Sequence, residues 1–435
     1  MRISVVGCGY LGAVHAAAMA SLGHDVVGID VMQDKVDALN TGFASIYEPG
    51  LDELLQQGIK SGKLKFTTDF SEAQDAEAHF IGVGTPQKKD GAGADLSYLY
   101  SAVEALIPYL NEGDVVIGKS TVPVGTAQDL AEYDAFRQTG AILAWNPEFL
   151  REGHAIKDTV SPDRLVYGLP AGDDASSRAK DVLDTVYASI LERDTPLIVT
   201  DFPTAELVKV SANAFLATKI SFINAVAQVA DKTGANVTEL ADAIGLDDRI
   251  GRKFLNAGVG FGGGCLPKDI RAFKARAEEL GVEDVLNLMT AVDDINLRQR
   301  RNIIEQVQRL FPTPAGTRVA VLGLAFKPES DDLRDSPALD VATALQKLGY
   351  EVVATDPKAA EKARAINPDL QYVSSMDEAL EGAHIAILLT EWKQFTQAEP
   401  TKAQHDTSVV IDGRNSLDSA AWENSGWKYM GVGRR

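Results

Sequence analysis

The feature that most constrains this chain is the motif Gly7-x-Gly9-x-x-Gly12, which lies between a β-branched stretch and a helical pattern. Residues 3–6 are typical of a strand, and a second strand over residues 26–29 ends at Asp30. In such a βαβ unit the glycines permit a tight turn and let a pyrophosphate approach the helix N-terminus. A carboxylate at Asp30 can accept a hydrogen bond from a ribose 2′-hydroxyl and would repel a 2′-phosphate. The motif therefore predicts binding of NAD, in preference to NADP, at Gly7, Gly9, Tyr10, Leu11, Gly12 and Asp30.

Further strand patterns follow in the first half of the chain, and polar residues come after them. We expect strands at 78–84, 114–118 and 141–144, with Thr85, Thr121, Glu148 and Glu152 beyond their ends. A single residue of this kind is more often a turn or cap residue. Ligands of parallel sheets, however, bind at the carboxyl ends of the strands. Four such residues at equivalent places in one sheet therefore indicate a binding site.

The last part of the chain repeats the plan of the first. A strand pattern at 317–322 runs into Gly323, a helix pattern covers 337–348, and a strand at 351–355 ends at Asp356. The second and third glycines of the first motif have no counterpart here, and Lys327 stands just past the turn. A complete dinucleotide is therefore not expected, whereas a lysine beside a single nucleotide diphosphate fits.

Two long helical patterns, at 204–231 and 283–310, lie between these regions. Lys209 and Asn213 are four residues apart on the first pattern and share a face. A loop with five glycines over residues 258–264 precedes Cys265, which Lys268 and Asp269 follow within one helical turn. A thiol beside a cation is a candidate nucleophile. Taken alone, the loop fits an inert buried cysteine equally well.

The length and overall composition of the chain exclude several classes of protein. The 435 residues are too many for one ordinary core. A net charge of −20 argues against nucleic-acid binding, because neutralising phosphates needs surplus Lys and Arg. Two cysteines cannot build a disulfide framework, which indicates a reduced compartment. We see no signal peptide and expect no apolar run long enough to span a bilayer, so the predicted location is cytoplasmic, without membrane contact or a metal site.

Taken together, these blocks resemble the UDP-glucose/GDP-mannose dehydrogenase family over nearly the whole chain. The resemblance rests on the glycine motif and on residues 120–126, 146–153, 209–219, 248–251, 261–269, 323–328, 334–337, 390–392 and 412–415. Many members have Ser and Phe on either side of the cysteine, where this chain has Gly264 and Leu266. Some have Glu where this chain has Ala225. None of these departures removes a group that the chemistry needs.

The resemblance implies an α/β fold of two Rossmann-like doubly wound parallel-sheet domains, joined by a central helical region with a long helix. It divides the chain into an NAD-binding domain (1–200), a central helical and dimerisation domain with the catalytic Cys loop (201–312), and a UDP-sugar-binding domain (313–435). It also implies a homo-oligomer, at least a dimer through the central helix.

The implied reaction is a four-electron oxidation of the C6 alcohol of UDP-glucose by two NAD+. An aldehyde has no hydroxyl to drive out a second hydride, so Cys265 would form a thiohemiacetal that is oxidised to a thioester and then hydrolysed. The resemblance makes Glu148 the base for the hydrolytic water, and Asp269 and Thr121 the holders of a water for proton transfer. Lys209 and Asn213 would stabilise developing oxyanions. The first general base stays open.

The resemblance also implies further binding residues. Beside the glycines and Asp30, the cofactor would contact Lys35, Thr85, Thr121, Glu152, Lys268 and Arg334. The sugar nucleotide would contact Glu148, Phe149, Leu150, Glu152, Lys209, Asn213, Arg249, Phe254, Leu255, Asn256, Ala257, Gly258, Phe261, Gly262 and Lys327. Arg249 resembles the arginine that members donate across a subunit interface. Lys268 is also a candidate for lowering the pKa of Cys265.

Three alternatives remain. The same chemistry could act on GDP-mannose or a UDP-N-acetylhexosamine; residues 249–251 and 265–269 favour UDP-glucose, although Leu266 also suits the GDP-mannose branch. A two-electron dehydrogenase of the 6-phosphogluconate or 3-hydroxyacyl type would need no cysteine. A non-catalytic NAD sensor would not need Cys265, Lys209, Glu148 and Asp269 together.

Overall fold

The computed structural model describes residues 1–434, which form two compact units, 1–212 and 213 onwards. The long helix between residues 202 and 233 contributes its first part to the first unit and the remainder to the second. The division into three functional domains at residues 200 and 312 stays a prediction.

The first unit is built on one sheet, which in the described residues has the order β3-β2-β1-β4-β5-β6-β7-β8. Its neighbouring strands are parallel except β6 and β7, which are antiparallel where Trp145 pairs with Gly168. The strands are β1 (Arg2–Val6), β2 (Asp25–Ile29), β3 (Leu64–Thr67), β4 (Ala78–Ile81), β5 (Val115–Gly118), β6 (Ile142–Trp145), β7 (Leu165–Leu169) and β8 (Leu197–Asp201). The sequence patterns indicated β1, β2, β4, β5 and β6 and missed the other three.

Helices cover both faces of this sheet. They are α1 (Tyr10–Ser21), α2 (Gln33–Asn40), α3 (Leu51–Lys60), α4 (Ser97–Leu106), α5 (Thr126–Glu132), α6 (Asp134–Arg137), α7 (Ala155–Val160), α8 (Asp173–Val186) and α9 (Ala188–Leu191). Alternate residues of β1 point to opposite faces, so Val5 and Val6 belong to different apolar clusters. This two-sided burial explains why the strands are continuous apolar runs.

The second unit contains a six-stranded sheet whose strands are all parallel, in the order β11-β10-β9-β12-β13-β14 within the described residues. The strands are β9 (Arg318–Leu322), β10 (Glu351–Thr355), β11 (Gln371–Tyr372), β12 (Ile385–Leu388), β13 (Val409–Asp412) and β14 (Lys428–Gly431). The same order occurs in the first six strands of the first unit and is that of doubly wound dinucleotide folds. The predicted repetition of the first motif is therefore confirmed at the level of topology.

The middle of the chain, between the two sheets in sequence, is mainly helical. Its helices are α10 (Phe202–Thr233), α11 (Val237–Gly245), α12 (Leu266–Glu279) and α13 (Glu283–Leu310). The helices of the second sheet are α14 (Pro337–Lys347), α15 (Ala360–Ile366), α16 (Met376–Leu380), α17 (Lys393–Thr396) and α18 (Ser419–Asn424). The pattern at 283–310 predicted α13 with its bounds, and that at 204–231 predicted α10 to within two residues at each end.

By length and composition, α10 is apolar enough to cross a membrane, so the expectation that no segment has that length was too strict. Within the second unit, however, three buried polar side chains of α10 each make a hydrogen bond to protein. Asn213 bonds Asp269, Ser221 bonds the carbonyl of Val292, and Asn224 accepts from the backbone of Gly258. This pattern is typical of a helix packed inside a protein.

Candidate active site

The glycine loop after β1 leaves the N-terminus of α1 open to an anion. Gly7 has φ +88°, and a side chain at Gly12 would overlap the carbonyl oxygen of Gly7. Gly9 is the N-cap of α1, is exposed, and has no side-chain cap. The unsatisfied N–H groups of a helix N-terminus bind phosphates well. The residues here therefore fit the pyrophosphate of NAD.

Asp30 follows β2 and is joined to the glycine loop. Its Oδ2 accepts from the backbone N of Cys8 at 2.9 Å and from Lys35 Nζ at 2.7 Å, while Oδ1 accepts from Met32 N at 3.1 Å. The structure thus brings the predicted cofactor residues Asp30 and Lys35 together. The carboxylate is oriented in advance for a ribose, because three protein donors hold it.

Cys8, which sits inside the motif, is a structural residue. It is buried, and burial, then the charge of Asp30, raises the pKa of its thiol far above the usual value. Its thiol therefore stays protonated and unreactive. This agrees with its place at a variable position of the motif.

The loops after β4 and β5 are tied to each other and to α10. Thr85 Oγ1 donates to the carbonyl of Thr121 at 2.7 Å, and Ser120 Oγ donates to that of Val83 at 2.6 Å. The buried carboxylate of Glu206 on α10 accepts from Gly125 N and Ala127 N, both at 2.7 Å. These bonds place Thr85 and Thr121 side by side at the carboxyl edge of the sheet, as predicted.

Glu148 follows β6 and lies against a buried lysine. Its Oε1 accepts from Phe149 N at 2.8 Å and Leu150 N at 3.1 Å, and its Oε2 lies 3.0 Å from Lys119 Nζ. The Lys119 side chain is 4% exposed. These groups, with Tyr187, line a cavity of about 20 Å³, room for about one water. The sequence analysis did not select Lys119, although a lysine at the end of a buried apolar strand was a usable signal.

Phe149 links two cations of the same unit. The Arg164 guanidinium lies 3.9 Å from its ring centroid, and Lys209 Nζ lies 5.4 Å from it. Cation–π contacts of this kind orient flexible side chains. Lys209, a predicted oxyanion stabiliser, is thus held near Phe149, the residue after Glu148.

Glu152 and Tyr10 lie near the carboxylate of Glu48. Glu48 is buried, accepts a hydrogen bond from the Tyr10 hydroxyl, and accepts from Gly153 N at 2.6 Å and Ala155 N at 2.7 Å. Burial, then the hydrogen bond and charge of Glu48 and the charge of Glu152, raises the pKa of Tyr10 far above its usual value. Glu48 therefore fixes both the first residue of α1 and the segment after Glu152, a role that no local pattern indicates.

In the second unit, Cys265 is the exposed N-cap of α12. A helix N-terminus stabilises a thiolate, because the helix dipole is positive there. One turn along, Lys268 Nζ lies 2.6 Å from Asp269 Oδ1, and Asn213 Nδ2 donates to Asp269 Oδ2 at 2.6 Å. The structure thus brings together Cys265, Lys268, Asp269 and Asn213, all of which the sequence selected.

The loop before Cys265 is held from several sides. Asn296 Oδ1 accepts from Phe261 N at 2.8 Å, and Asn296 Nδ2 donates to the carbonyl of Phe261 at 3.0 Å. Arg300 is buried and donates to that carbonyl at 3.3 Å and to Asp335 Oδ1 at 2.9 Å. A side chain at Gly262 would overlap the carbonyl oxygen of Asp335. Sequence reasoning missed Asn296 and Arg300, because a polar residue on a long amphipathic helix usually faces solvent.

Arg334, a predicted cofactor residue, also touches this loop. Its carbonyl accepts from Gly263 N at 2.9 Å, and its guanidinium, bonded to Asp332, occupies the space that a side chain at Gly264 would fill. The absence of a side chain at Gly264, the residue before Cys265, therefore leaves room for the guanidinium of Arg334.

The predicted substrate segment 254–258 is a shaped loop in the second unit. Phe254 has φ +66°, a conformation that a bulky residue rarely adopts and that often marks a functional site. Leu255, Ala257 and Gly258 are buried, while Asn256 is exposed and accepts from Arg252 Nη1 at 2.7 Å.

Arg249 and Lys327 lie elsewhere in this unit. Arg249 is 87% exposed and is paired with Asp247 at 2.6 Å, on a loop whose carbonyls at Ile250 and Gly251 accept from Lys219 Nζ. Lys327 Nζ lies 5.4 Å from the ring of Phe326, just past the glycine turn after β9.

In the second sheet, side chains of the protein bond to the turn after β9 and to the start of the helix α14. Asp356, the counterpart of Asp30, accepts from Leu324 N, Ala325 N and Trp392 Nε1 through Oδ2. Ser336 caps α14 and donates to the carbonyl of Leu324 at 2.6 Å. These groups satisfy the turn after β9 and the start of α14 within the protein; the expectation that this sheet does not bind a complete dinucleotide stays a prediction.

Comparisons with known proteins cover the entire chain. The models of the UDP-glucose/GDP-mannose dehydrogenase family match residues 1–191 (NAD binding domain), 203–298 (central domain) and 320–419 (UDP binding domain). The chain is 39% identical to a UDP-glucose 6-dehydrogenase of Rhizobium meliloti, with 100% of both chains covered.

Solved structures give the same relationship. A UDP-glucose dehydrogenase from Pyrobaculum islandicum superposes with a TM-score of 0.91 at 39% identity, covering 100% of this chain and 98% of that one. A UDP-D-ManNAc dehydrogenase from Pyrococcus horikoshii gives 0.83 at 28% identity, covering 100% and 99%.

Proposed function

The chain belongs to the UDP-glucose/GDP-mannose dehydrogenase family, and on that basis we propose that it oxidises UDP-glucose to UDP-glucuronate with two NAD+. The observation that carries the proposal is Cys265 at the N-terminus of α12, with Lys268, Asp269 and Asn213 around it. A two-electron dehydrogenase needs no thiol, whereas oxidation of an aldehyde by hydride transfer needs a nucleophile to add to it.

Bound NAD+ supplies the hydride acceptor in both oxidation steps. The open N-terminus of α1, Asp30 and Lys35 would hold it. The alcohol at C6 loses a proton and a hydride to give an aldehyde. The Cys265 sulfur adds to the aldehyde carbon, and the resulting thiohemiacetal loses a second hydride and its hydroxyl proton to leave a thioester. Water then adds, the C–S bond breaks, and the carboxylate product leaves Cys265 as it began.

The roles of the protein groups are those that the family resemblance implies, and the chemistry of each group suits its role. Asn213 and Lys209 carry N–H donors suited to the oxygen on C6 as it gains charge. Asp269, which accepts from Asn213 and Lys268, suits a water-holding role. Glu148 is the base for the water that hydrolyses the thioester. The segment 254–258 with Phe261, Gly262 and Lys327 would bind the sugar nucleotide.

The test is the NADH yield per limiting UDP-glucose, measured with purified protein and excess NAD+. Two NADH per sugar are expected, and Cys265→Ser should abolish net turnover. One NADH per sugar, with Cys265→Ser still active, would replace the proposal by a two-electron dehydrogenase. No NADH from UDP-glucose, but two from GDP-mannose or a UDP-N-acetylhexosamine, would retain the mechanism and change the substrate.

We also propose that the protein is a dimer through α10. Phe215, Phe222 and Val229 recur every seventh residue along this helix and are 65%, 53% and 61% exposed. Positions seven apart share a face, so they form one apolar stripe. Such a stripe on a helix is stabilised when a partner covers it.

Light scattering of Phe222→Glu checks this proposal, with Lys232→Glu near the end of the same helix as the charge-changing control. A monomer in the first variant and a dimer in the second are expected. A dimer in both would place the interface elsewhere. The need for a reduced Cys265 supports a cytoplasmic location, which cell fractionation would check.

A further inference from the structure

The carboxylate of Glu148 has one acceptor position left. Each carboxylate oxygen accepts about two hydrogen bonds. Oε1 already accepts from the backbone N of Phe149 and of Leu150, while Oε2 receives only Lys119 Nζ, at 3.0 Å, among the bonds that the described residues make to it. A water that gives a proton to Glu148 therefore gives it to Oε2, the oxygen that faces Lys119.

The ammonium of Lys119 is itself fixed by three partners. Beside Glu148, it donates to Asn146 Oδ1 at 3.0 Å and to the Tyr187 hydroxyl at 3.3 Å. Tyr187 in turn donates to Asn146 Oδ1 at 2.6 Å, and Asn146 Nδ2 donates to the carbonyl of Val166 at 3.0 Å. Burial, then the charge of Glu148, raises the pKa of Tyr187 well above its usual value, so its hydroxyl stays a donor. Each of the three N–H donors of the ammonium therefore has a partner, which fixes the position of the Lys119 side chain.

We propose that Lys119 is a positioning residue for hydrolysis of the Cys265 thioester, acting through Oε2 of Glu148. This inference rests on the proposed function. The water oxygen bonds to the thioester carbon, the C–S bond breaks, and sulfur leaves as the Cys265 thiolate. The water proton passes to Oε2. Loss of that proton to solvent restores the Glu148–Lys119 ion pair, which returns the base to its ionised form for the next turnover.

The other ionisable groups at this site are Asp158, Arg164 and the buried His15, whose ring is close enough to Lys119 to be affected by its charge. Asp158 and Arg164 line the same cavity, together with Lys119, Glu148 and Tyr187. Asp158 is paired with Arg151 at 2.7 Å, and Arg164 stacks on Phe149. Lys119 is thus the cation with a direct contact to the Glu148 carboxylate in the described structure.

The test variant is Lys119→Met, which keeps the length of the side chain and removes the charge. After mixing with UDP-glucose and NAD+, we expect a normal burst of NADH followed by a steady-state rate lowered about 100-fold, because Glu148 is no longer held in place and general-base catalysis commonly contributes a factor of this size. Intact-protein mass spectrometry should then show the substrate acyl group retained on Cys265. Lys157→Met, on the exposed face of α7, should behave as the wild type.

Tyr187→Phe provides a second variant, because it removes one partner of the ammonium without changing charge. In Tyr187→Phe, more protein should retain the acyl group than in the wild type, but less than in Lys119→Met. If Lys119→Met fails to fold or to bind NADH, the result with Tyr187→Phe tests the inference. Slow turnover without a retained acyl group, or full turnover in both variants, would overturn the inference. The wild-type yield of two NADH per sugar tests the proposed function separately.

Discussion

The side-chain amide of Asn213 donates a hydrogen bond of 2.6 Å to Oδ2 of Asp269, joining α10 to the helix that begins at Cys265. Asp269 is almost fully buried and receives Lys268 on its other oxygen. The bond orients Asn213 and leaves its second amide proton for an oxyanion. The two predicted catalytic residues are therefore joined directly in the structure.

The first prediction concerns this pair. Asn213→Ala and Asp269→Asn should each lower kcat by about 100-fold, as expected when a donor to a developing oxyanion is lost or displaced. The double variant should lose far less than the product of the two effects, with a coupling energy of about 1–3 kcal/mol. A double-mutant cycle on kcat measures this. Thr218→Ala, whose hydroxyl bonds only locally to Ala214, is the control. Simple additivity would show that the two residues work independently.

The second prediction concerns the thiol of Cys265. Lys268 lies in the same helical turn, so its removal should weaken the stabilisation of the thiolate, and the pH profile of iodoacetamide inactivation should move to higher pH in Lys268→Ala. Lys274→Ala, further along α12, should leave the profile in place. If both variants match the wild type, the N-terminus of α12 alone activates the thiol.

The third prediction separates two neighbouring glycines. A side chain at Gly262 would overlap the backbone of Asp335, whereas one at Gly264 would meet only the guanidinium end of Arg334. Gly262→Ala should therefore cost about 1–3 kcal/mol of stability through overpacking and abolish most turnover. Gly264→Ser should stay within about 0.5 kcal/mol of the wild type and mainly raise the KM for NAD+, since only a flexible side chain must move. Thermal unfolding and steady-state kinetics distinguish them, and equal destabilisation by both would contradict the packing described.

The fourth prediction is a loss of stability in acid caused by His15. Its ring is buried 4.4 Å from that of Phe80, and neither ring nitrogen has a hydrogen-bond partner among residues 1–434. Burial, then the charges of Lys119 and His24, lowers the pKa of His15 well below 6.5. The unfolded chain therefore binds a proton that the folded chain does not. The contribution of neutral His15 to the free energy of unfolding should be fully present above pH 6.5. As the pH drops below 6.5, the free energy of unfolding should fall by up to about 1.4 kcal/mol per pH unit.

His15→Leu should remove this part of the acid sensitivity, as seen in melting temperatures at pH 8.0 and 5.5. His154→Gln, at an exposed position, is the control. An unchanged difference between the two pH values in His15→Leu would assign the acid sensitivity to other groups.

Much of the fold and of the site follows from local patterns. Glycine spacing, strand-end polar residues and helix periodicity are encoded within short windows, and they predicted β1, α1, β2, α10, α13 and the repeated topology. The selection of Cys265, Lys268 and Asp269 is local for the same reason, since they lie on one helical turn. Strands β3, β7 and β8 were missed. β7 is buried at every position, so its apolar run does not distinguish a strand from a buried helix, β8 is largely exposed, and β3 has only four residues.

Local patterns were thus enough to predict the class of fold, the NAD loop and Cys265 as the candidate nucleophile. Which polar groups meet depended on the folded chain: Lys119 with Glu148, Asn213 with Asp269, and Asn296 and Arg300 with the loop before Cys265. These partners lie on different strands and helices, so no periodicity relates them. Their pairing is set by packing, because a buried charge or amide must find its partner wherever the fold brings one within hydrogen-bonding distance.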